Sequence, residues 1–144
     1  MPTIRNIAVG LPCKQGHVLA LEGTDHARGL NFFRAIGGGI EFGERAEDAL
    51  HREFMEELGV HLDAVELLGV REDIFTYEGV AGHEIAHIFA LHSAELDAIP
   101  LDATLHILDE GSPVRWFPFN EVLTGDRPLF PVGAPELLPQ ASSF

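Results

Sequence analysis

The stretch Gly38–Val60, GGIEFGERAEDALHREFMEELGV, decides how the rest of this chain is read. Within it Ala46, Ala49, Leu50, Phe54 and Leu58 recur at helical spacing and Gly59 follows as a C-cap, so a helix is expected over Glu44–Leu58. Glu53, Glu56 and Glu57 stand at i, i+3 and i+4, which brings three carboxylates out on one side of one helical end, close enough to repel each other. Clustered Glu on a helix is ordinarily a solvated face, since Glu is a good helix former. Two features point elsewhere. Glu53 and Glu57 share the flank of Leu50 and Phe54, the side that should face the core, where an ionised carboxylate needs a partner or a metal, and Arg52 can neutralise only one of them. Upstream, Gly37-Gly38-Gly39 offers backbone without side chains, which a ligand or metal can approach closely; a flexible strand-to-helix turn would look the same.

Outward from the helix the chain reads mainly as strands. Ile4–Leu11 and His17–Leu21 are expected to form a hairpin around the turn Pro12–Gly16, and Leu30–Ile36 gives another strand after the polar stretch Gly23–Gly29. Val65–Tyr77 and Ile85–Leu91 are expected to pair across the turn-like residues Glu78–Gly82. Glu95–Asp102 reads as a loop, Thr104–Leu108 and Val114–Phe117 as short strands, and Phe119–Leu123 as the start of a short helix. Pro128, Pro131, Pro135 and Pro139 are expected to prevent any long regular element in the tail. With 144 residues, no internal repeat and no linker, a single domain over 1–144 is expected.

Composition narrows the partners. The chain is 46% hydrophobic, including ten Phe, which fits an ordinary globular domain with a real core. Nine Lys plus Arg against 23 Asp plus Glu leaves a net charge of −14, which repels nucleic-acid backbones and anionic membranes. Neither a nucleic-acid nor a membrane partner is therefore expected. A small anion can still be handled where a cation intervenes, and some of the acids are then candidate metal ligands. A single cysteine, Cys13, and a first apolar run stopped at Pro12 fit a reducing, cytoplasmic location.

Gly38, five residues, Glu44, seven residues, then Arg52-Glu53-Phe54-Met55-Glu56-Glu57-Leu58-Gly59-Val60 fits G-x5-E-x7-R-E-U-x-E-E-x-G-U at all nine specified positions, U being bulky aliphatic or aromatic. In this the chain resembles the Nudix hydrolases. The resemblance extends to Arg34 through Gly43, to Gly82-His83-Glu84-Ile85 and to Arg115-Trp116-Phe117-Pro118, so that it spans most of Ile4–Leu138. Many relatives carry Pro before the Gly-Gly pair, where this chain has Ile36. The resemblance implies an α/β fold, an α/β/α sandwich around a mixed β-sheet, and hydrolysis of a nucleoside diphosphate linked to another group. By similarity, Glu53, Glu56 and Glu57 bind Mg²⁺ or Mn²⁺, Glu44 assists, Arg52 orients the carboxylates, and a glycine carbonyl around Gly37 or Gly38 adds a ligand. The residue chemistry agrees, because oxygen-only donors and a phosphate substrate favour hard cations over Zn²⁺. Glu53 or Glu56 is the candidate base, with Glu84 as one outside the motif, and Arg34 is the candidate phosphate contact or, equally, a structural salt-bridge partner.

A second motif competes. His83-Glu84-Ile85-Ala86-His87 matches H-E-x-x-H, but that zinc signature works only on a helix, and the β-rich run Ile85–Leu91 favours a strand, where the two His would sit roughly 13 Å apart. Coincidence among eight His is the better reading. Tyr77 lies 17 residues beyond Val60, where diadenosine polyphosphate hydrolases of the resembled family often carry a base-stacking Tyr, although a plain strand residue beside Phe75 is the simpler account. The expectation is a small-molecule nucleotide substrate, a nucleoside triphosphate or dinucleoside polyphosphate being favoured, with a homodimer allowed. The alternative is a nucleotide-binding regulatory module of the same fold without useful turnover.

Overall fold

The computed structural model describes residues 2–125 and 127–144. Among the described residues, ten strands and four helices follow in the order β1 (Arg5–Gly10), β2 (Cys13–Lys14), β3 (His17–Asp25), β4 (Leu30–Arg34), β5 (Ile36–Gly39), α1 (Ala46–Leu58), β6 (Ala64–Tyr77), β7 (Val80–His92), α2 (Ala94–Asp97), β8 (Thr104–His106), β9 (Pro113–Pro118), α3 (Phe119–Thr124), β10 (Leu129–Phe130) and α4 (Ala134–Ser143). They build two mixed sheets. One has the order β5-β1-β7-β6, with β1 and β7 parallel; the other runs β10-β4-β3-β9-β8, with β2 paired to β3 and β10 parallel to β4.

The expected hairpin between the first two strands does not form. Ile7 to Gly10 are buried on both faces, which demands an interior strand, and β1 lies between β5 and β7 while β3 enters the other sheet. Its alternate residues feed two cores. Ile7 and Val9 join Ala86 and Ile88 of β7 and Leu137 and Leu138 of α4, while Ala8 joins Ala49, Leu50 and Phe54 of α1 with Phe89 of β7. The two helices thus cover opposite sides of this sheet, the α/β/α arrangement that was expected.

α1 begins at Ala46, two residues later than the periodicity predicts, because Glu44 is held in a turn: its N–H donates to the Glu41 carbonyl at 3.0 Å and its carboxylate accepts from the Glu41 N–H at 3.1 Å. Gly59 ends the helix in the left-handed region at φ 69°. β6 and β7 pair as expected but meet in a tighter turn. Glu78 and Gly79 both have positive φ, the two-residue geometry that matches strand twist, so β7 starts at Val80.

The proline-rich tail corrects the sequence reading, since α4 spans ten residues. Pro135 sits in its first turn, where a missing N–H costs nothing, and Pro139 is carried inside because Ala134, Leu137, Leu138 and Ala141 form a buried stripe. Glu95–Asp102, expected as a loop, opens with α2, capped by the Ser93 hydroxyl accepting from the Leu96 N–H at 3.2 Å. Among the described residues, no helix is long and apolar enough to cross a membrane.

Candidate active site

The carboxylates of α1 converge on Arg52. Its Nε and Nη2 each reach one oxygen of Glu44 at 2.8 Å, a bidentate pair, while Nη1 donates to Glu53 at 2.9 Å and to Glu56 at 3.3 Å, and Nη2 also donates to the Gly39 carbonyl at 2.8 Å. One guanidinium thereby joins the turn before the helix, the glycine strand β5 and two carboxylates of the helix itself. Its hydrogen bonds hold the Glu44 carboxyl down to about 2.

Glu57 is the exception. Burial, then the negative charge of Glu53 beside it, pushes its carboxyl up to about 8, and its Oε2 is buried without a hydrogen-bond partner. A buried, unpartnered carboxyl oxygen next to a second carboxyl is a place where a cation would relieve both desolvation and repulsion. Among the described residues no three acidic, His or Cys side chains are drawn into a finished cage, because Glu53 and Glu56 turn toward Arg52.

Gly38 fits this corner through what it lacks. A Cβ there would lie 2.6 Å from the Glu53 carboxyl, so only glycine lets β5 and that side chain approach. The neighbouring Gly39 supplies the carbonyl that Arg52 uses, a contact the sequence did not signal.

Beside α1 opens a cavity of about 470 Å³ between the two sheets, and it brings Glu57, Gly37, Arg34 and Tyr77 to one space. Gly38, Glu44, Arg52, Glu53 and Glu56 are not part of its wall. Arg34 lies 3.6 Å from Glu84, and Arg5 donates to the same Glu84 oxygen at 3.3 Å, so two cations share one buried carboxylate and make a local positive patch in a wall that is otherwise acidic, with Glu22, Asp25, Asp73 and Glu110 also lining it. Tyr77 stands edge-on to Phe32 at 5.9 Å and its hydroxyl donates to the Thr24 carbonyl at 3.3 Å. The remaining wall carries two matched pairs. Phe32 lies over Gly23 across β3 and β4, and Phe75 over Gly82 across β6 and β7; a Cβ on either glycine would come within 2.5 Å of the ring. Arg5, Phe32 and Phe75 escaped the sequence reading because their roles come from cross-strand register.

The H-E-x-x-H residues lie on β7, as their composition predicts. His83 Nε2 meets Glu72 at 2.8 Å and His87 Nδ1 lies 3.3 Å from the Ile7 carbonyl.

The NUDIX domain profile matches residues 4–140. Over 149 aligned positions the chain is 30% identical to an RNA pyrophosphohydrolase of Psychrobacter cryohalolentis and 29% to one of Psychrobacter arcticus, in both cases covering 94% of this chain and 84% of the relative. Among solved structures, a NUDIX hydrolase from Nitrosomonas europaea superposes with a TM-score of 0.61 at 19% identity, over 83% of this chain and 76% of that one, which shows the shared fold. The chain belongs to the Nudix hydrolase family. Its chemistry is accordingly that of a pyrophosphohydrolase, as the motif led us to expect.

Proposed function

We propose that this protein hydrolyses a phosphoanhydride bond of a small nucleotide, a nucleoside triphosphate or dinucleoside polyphosphate, with Mg²⁺ or Mn²⁺, by attack of water at phosphorus in the cytoplasm. The observation that carries this is the buried, unpartnered Glu57 oxygen at the point where the carboxylate helix meets a cavity lined by Arg34 and Tyr77. Glu53, Glu56 and Glu57, with a glycine carbonyl at Gly37 or Gly38, would hold the metal; their hard oxygen donors suit it. When bound, it would supply a water of lowered pKa and charge neutralisation on the phosphates.

The chain's own residues do the rest. Arg52 and Glu44 fix the orientation of Glu53 and Glu56, one of which takes the proton from the attacking water. Arg34, with Arg5 behind the shared Glu84, faces the phosphates, and Tyr77 offers an aromatic surface to a base.

A second reading is favoured by one finding, the RNA pyrophosphohydrolases that align over 94% of this chain: the substrate would be the 5′-polyphosphate end of an RNA. The net charge of −14 speaks against holding the RNA body, so only its terminus would be gripped. A metal-supplemented screen over nucleoside triphosphates, dinucleoside polyphosphates, ADP-ribose, nucleotide sugars and 5′-triphosphorylated RNA, run in ¹⁸O-water with product identification, tests both. Preferential release of pyrophosphate from the RNA would favour the second reading. Binding without turnover across the panel would instead leave a regulatory module.

A further inference from the structure

We propose that the free edge of β6 is a self-association surface, on which a second copy of this chain pairs antiparallel about a two-fold axis through Glu72. This is independent of which nucleotide is cleaved. Among the described residues β6 is hydrogen-bonded only to β7, so one side of a 14-residue strand presents N–H and C=O groups to solvent. Such an edge templates another strand unless Pro, unmatched charged side chains, a bulge or a covering segment blocks it. β6 contains neither Pro nor Lys, its irregularity between Leu67 and Gly69 leaves Val70–Tyr77 regular, and its charges Arg71 and Asp73 are opposite in sign and find each other in the register below, where Arg71 would leave its present contact with the Val70 carbonyl. Ile74 is 73% exposed and Val70 45%, two aliphatic side chains on one face that the monomer's core does not use.

The sequence of this edge is complementary to itself in one register. Directly opposed residues of an antiparallel pair share a face, and a two-fold axis normal to the sheet keeps each residue on its own face, so the axis passes through a residue position. Placed at Glu72, it sets Arg71 against the second copy's Asp73 and Val70 against the second copy's Ile74, each pairing occurring twice. Moved one residue either way, it sets Arg71 or Asp73 against its own like charge and puts a carboxylate opposite Val70 or Ile74. Opposite charges and apolar pairs across strands stabilise, and like charges directly opposed destabilise. The cost at the chosen register is Glu72 facing Glu72, and each of these carboxylates already has His83 Nε2 at 2.8 Å.

The pairing also reaches the active-site cavity. Asp73 is part of its wall, a negative charge where an anionic substrate is expected, and the second copy's Arg71 would neutralise it. Because each copy carries −14, approach is opposed at long range, and association should strengthen as salt rises to about 0.15 M, where the screening length is about 8 Å.

Sedimentation equilibrium of the full chain in about 0.15 M salt tests this. The wild type should sediment as a dimer at micromolar concentration. Arg71→Asp and Asp73→Arg, which oppose like charges twice per dimer, should each weaken it about tenfold or more, and the charge-swapped double variant should restore it. Since the Arg71 stem packs where Gly133 leaves room, Ile74→Lys, on a largely exposed side chain outside the core, provides a variant that spares the monomer's core packing and should also dissociate the dimer. A monomeric wild type, a dimer that persists in Ile74→Lys, or a folded double variant that stays monomeric would overturn the proposal.

Discussion

Arg52 grips Glu44 with both ends of its fork, Nε and Nη2 each 2.8 Å from a carboxylate oxygen, across eight residues of chain. The pair ties the turn at Glu41–Glu44 to the second half of α1, and Glu53 and Glu56 are aimed from the same guanidinium. Lysine offers a point charge without the fork. Arg52→Lys should therefore lower kcat by roughly 100-fold, the scale of a misplacement of about 1 Å, with little change in KM. Steady-state kinetics beside a thermal melt checks this, and a variant with unchanged kcat would remove Arg52 from the positioning role.

Two adjacent glycines should respond differently to the same methyl group. At Gly38 a Cβ meets the Glu53 carboxyl at 2.6 Å, whereas at Gly39 the nearest atom is the Arg5 guanidinium at 3.5 Å, an ordinary contact. Gly38→Ala is expected to weaken metal binding about tenfold or more by displacing Glu53, and Gly39→Ala to stay within a few-fold of wild type. Calorimetric titration with Mn²⁺ separates the two; equal behaviour would mean that Glu53 is not held where the metal needs it.

Chelation should silence the enzyme, and either Mg²⁺ or Mn²⁺ should revive it. Glu56→Gln and Glu57→Gln should abolish the revival while leaving the melting temperature close to wild type, since neither carboxylate carries a core contact that the isosteric amide would lose. Full activity in both variants would dismiss the assigned ligands.

Cys13 provides a pH test remote from the site. Burial pushes its thiol up to about 12, whereas an unfolded thiol titrates near about 8.5. At pH 8 the folded protein should thus react with iodoacetamide about a thousandfold more slowly than the denatured chain, because the thiolate is the nucleophile. The folded state holds this proton more tightly, so stability is undiminished below about pH 8.5 and declines as pH rises from there toward about 12. Rapid alkylation of the native protein would contradict the burial.

Much of the site was legible because its logic is local. Glu53, Glu56 and Glu57 sit within five residues and their geometry follows from helical spacing alone, and the β-branched run after Glu84 was enough to place His83 and His87 on a strand. What escaped depends on long-range pairing. Arg5 and Glu84 are 79 residues apart and become neighbours only through the parallel register of β1 and β7. β1 looked like half of a hairpin because adjacency along the chain was the simplest partner available, and burial on both faces is a tertiary property. In α4 the local penalty of Pro139 misled the reading, since the buried stripe that outweighs it has meaning only once a core exists to receive it.

The rings of Phe32 and Phe75 stand against Gly23 and Gly82, where a Cβ would come within 2.5 Å of a ring atom, and both rings line the cavity. Because a single methyl on either glycine would displace its ring, the width of the cavity is adjustable from the backbone, without touching the carboxylates of α1. Substrate range could thus drift in evolution, or be steered by design, through alanine or serine at those two positions while the hydrolytic machinery stays intact.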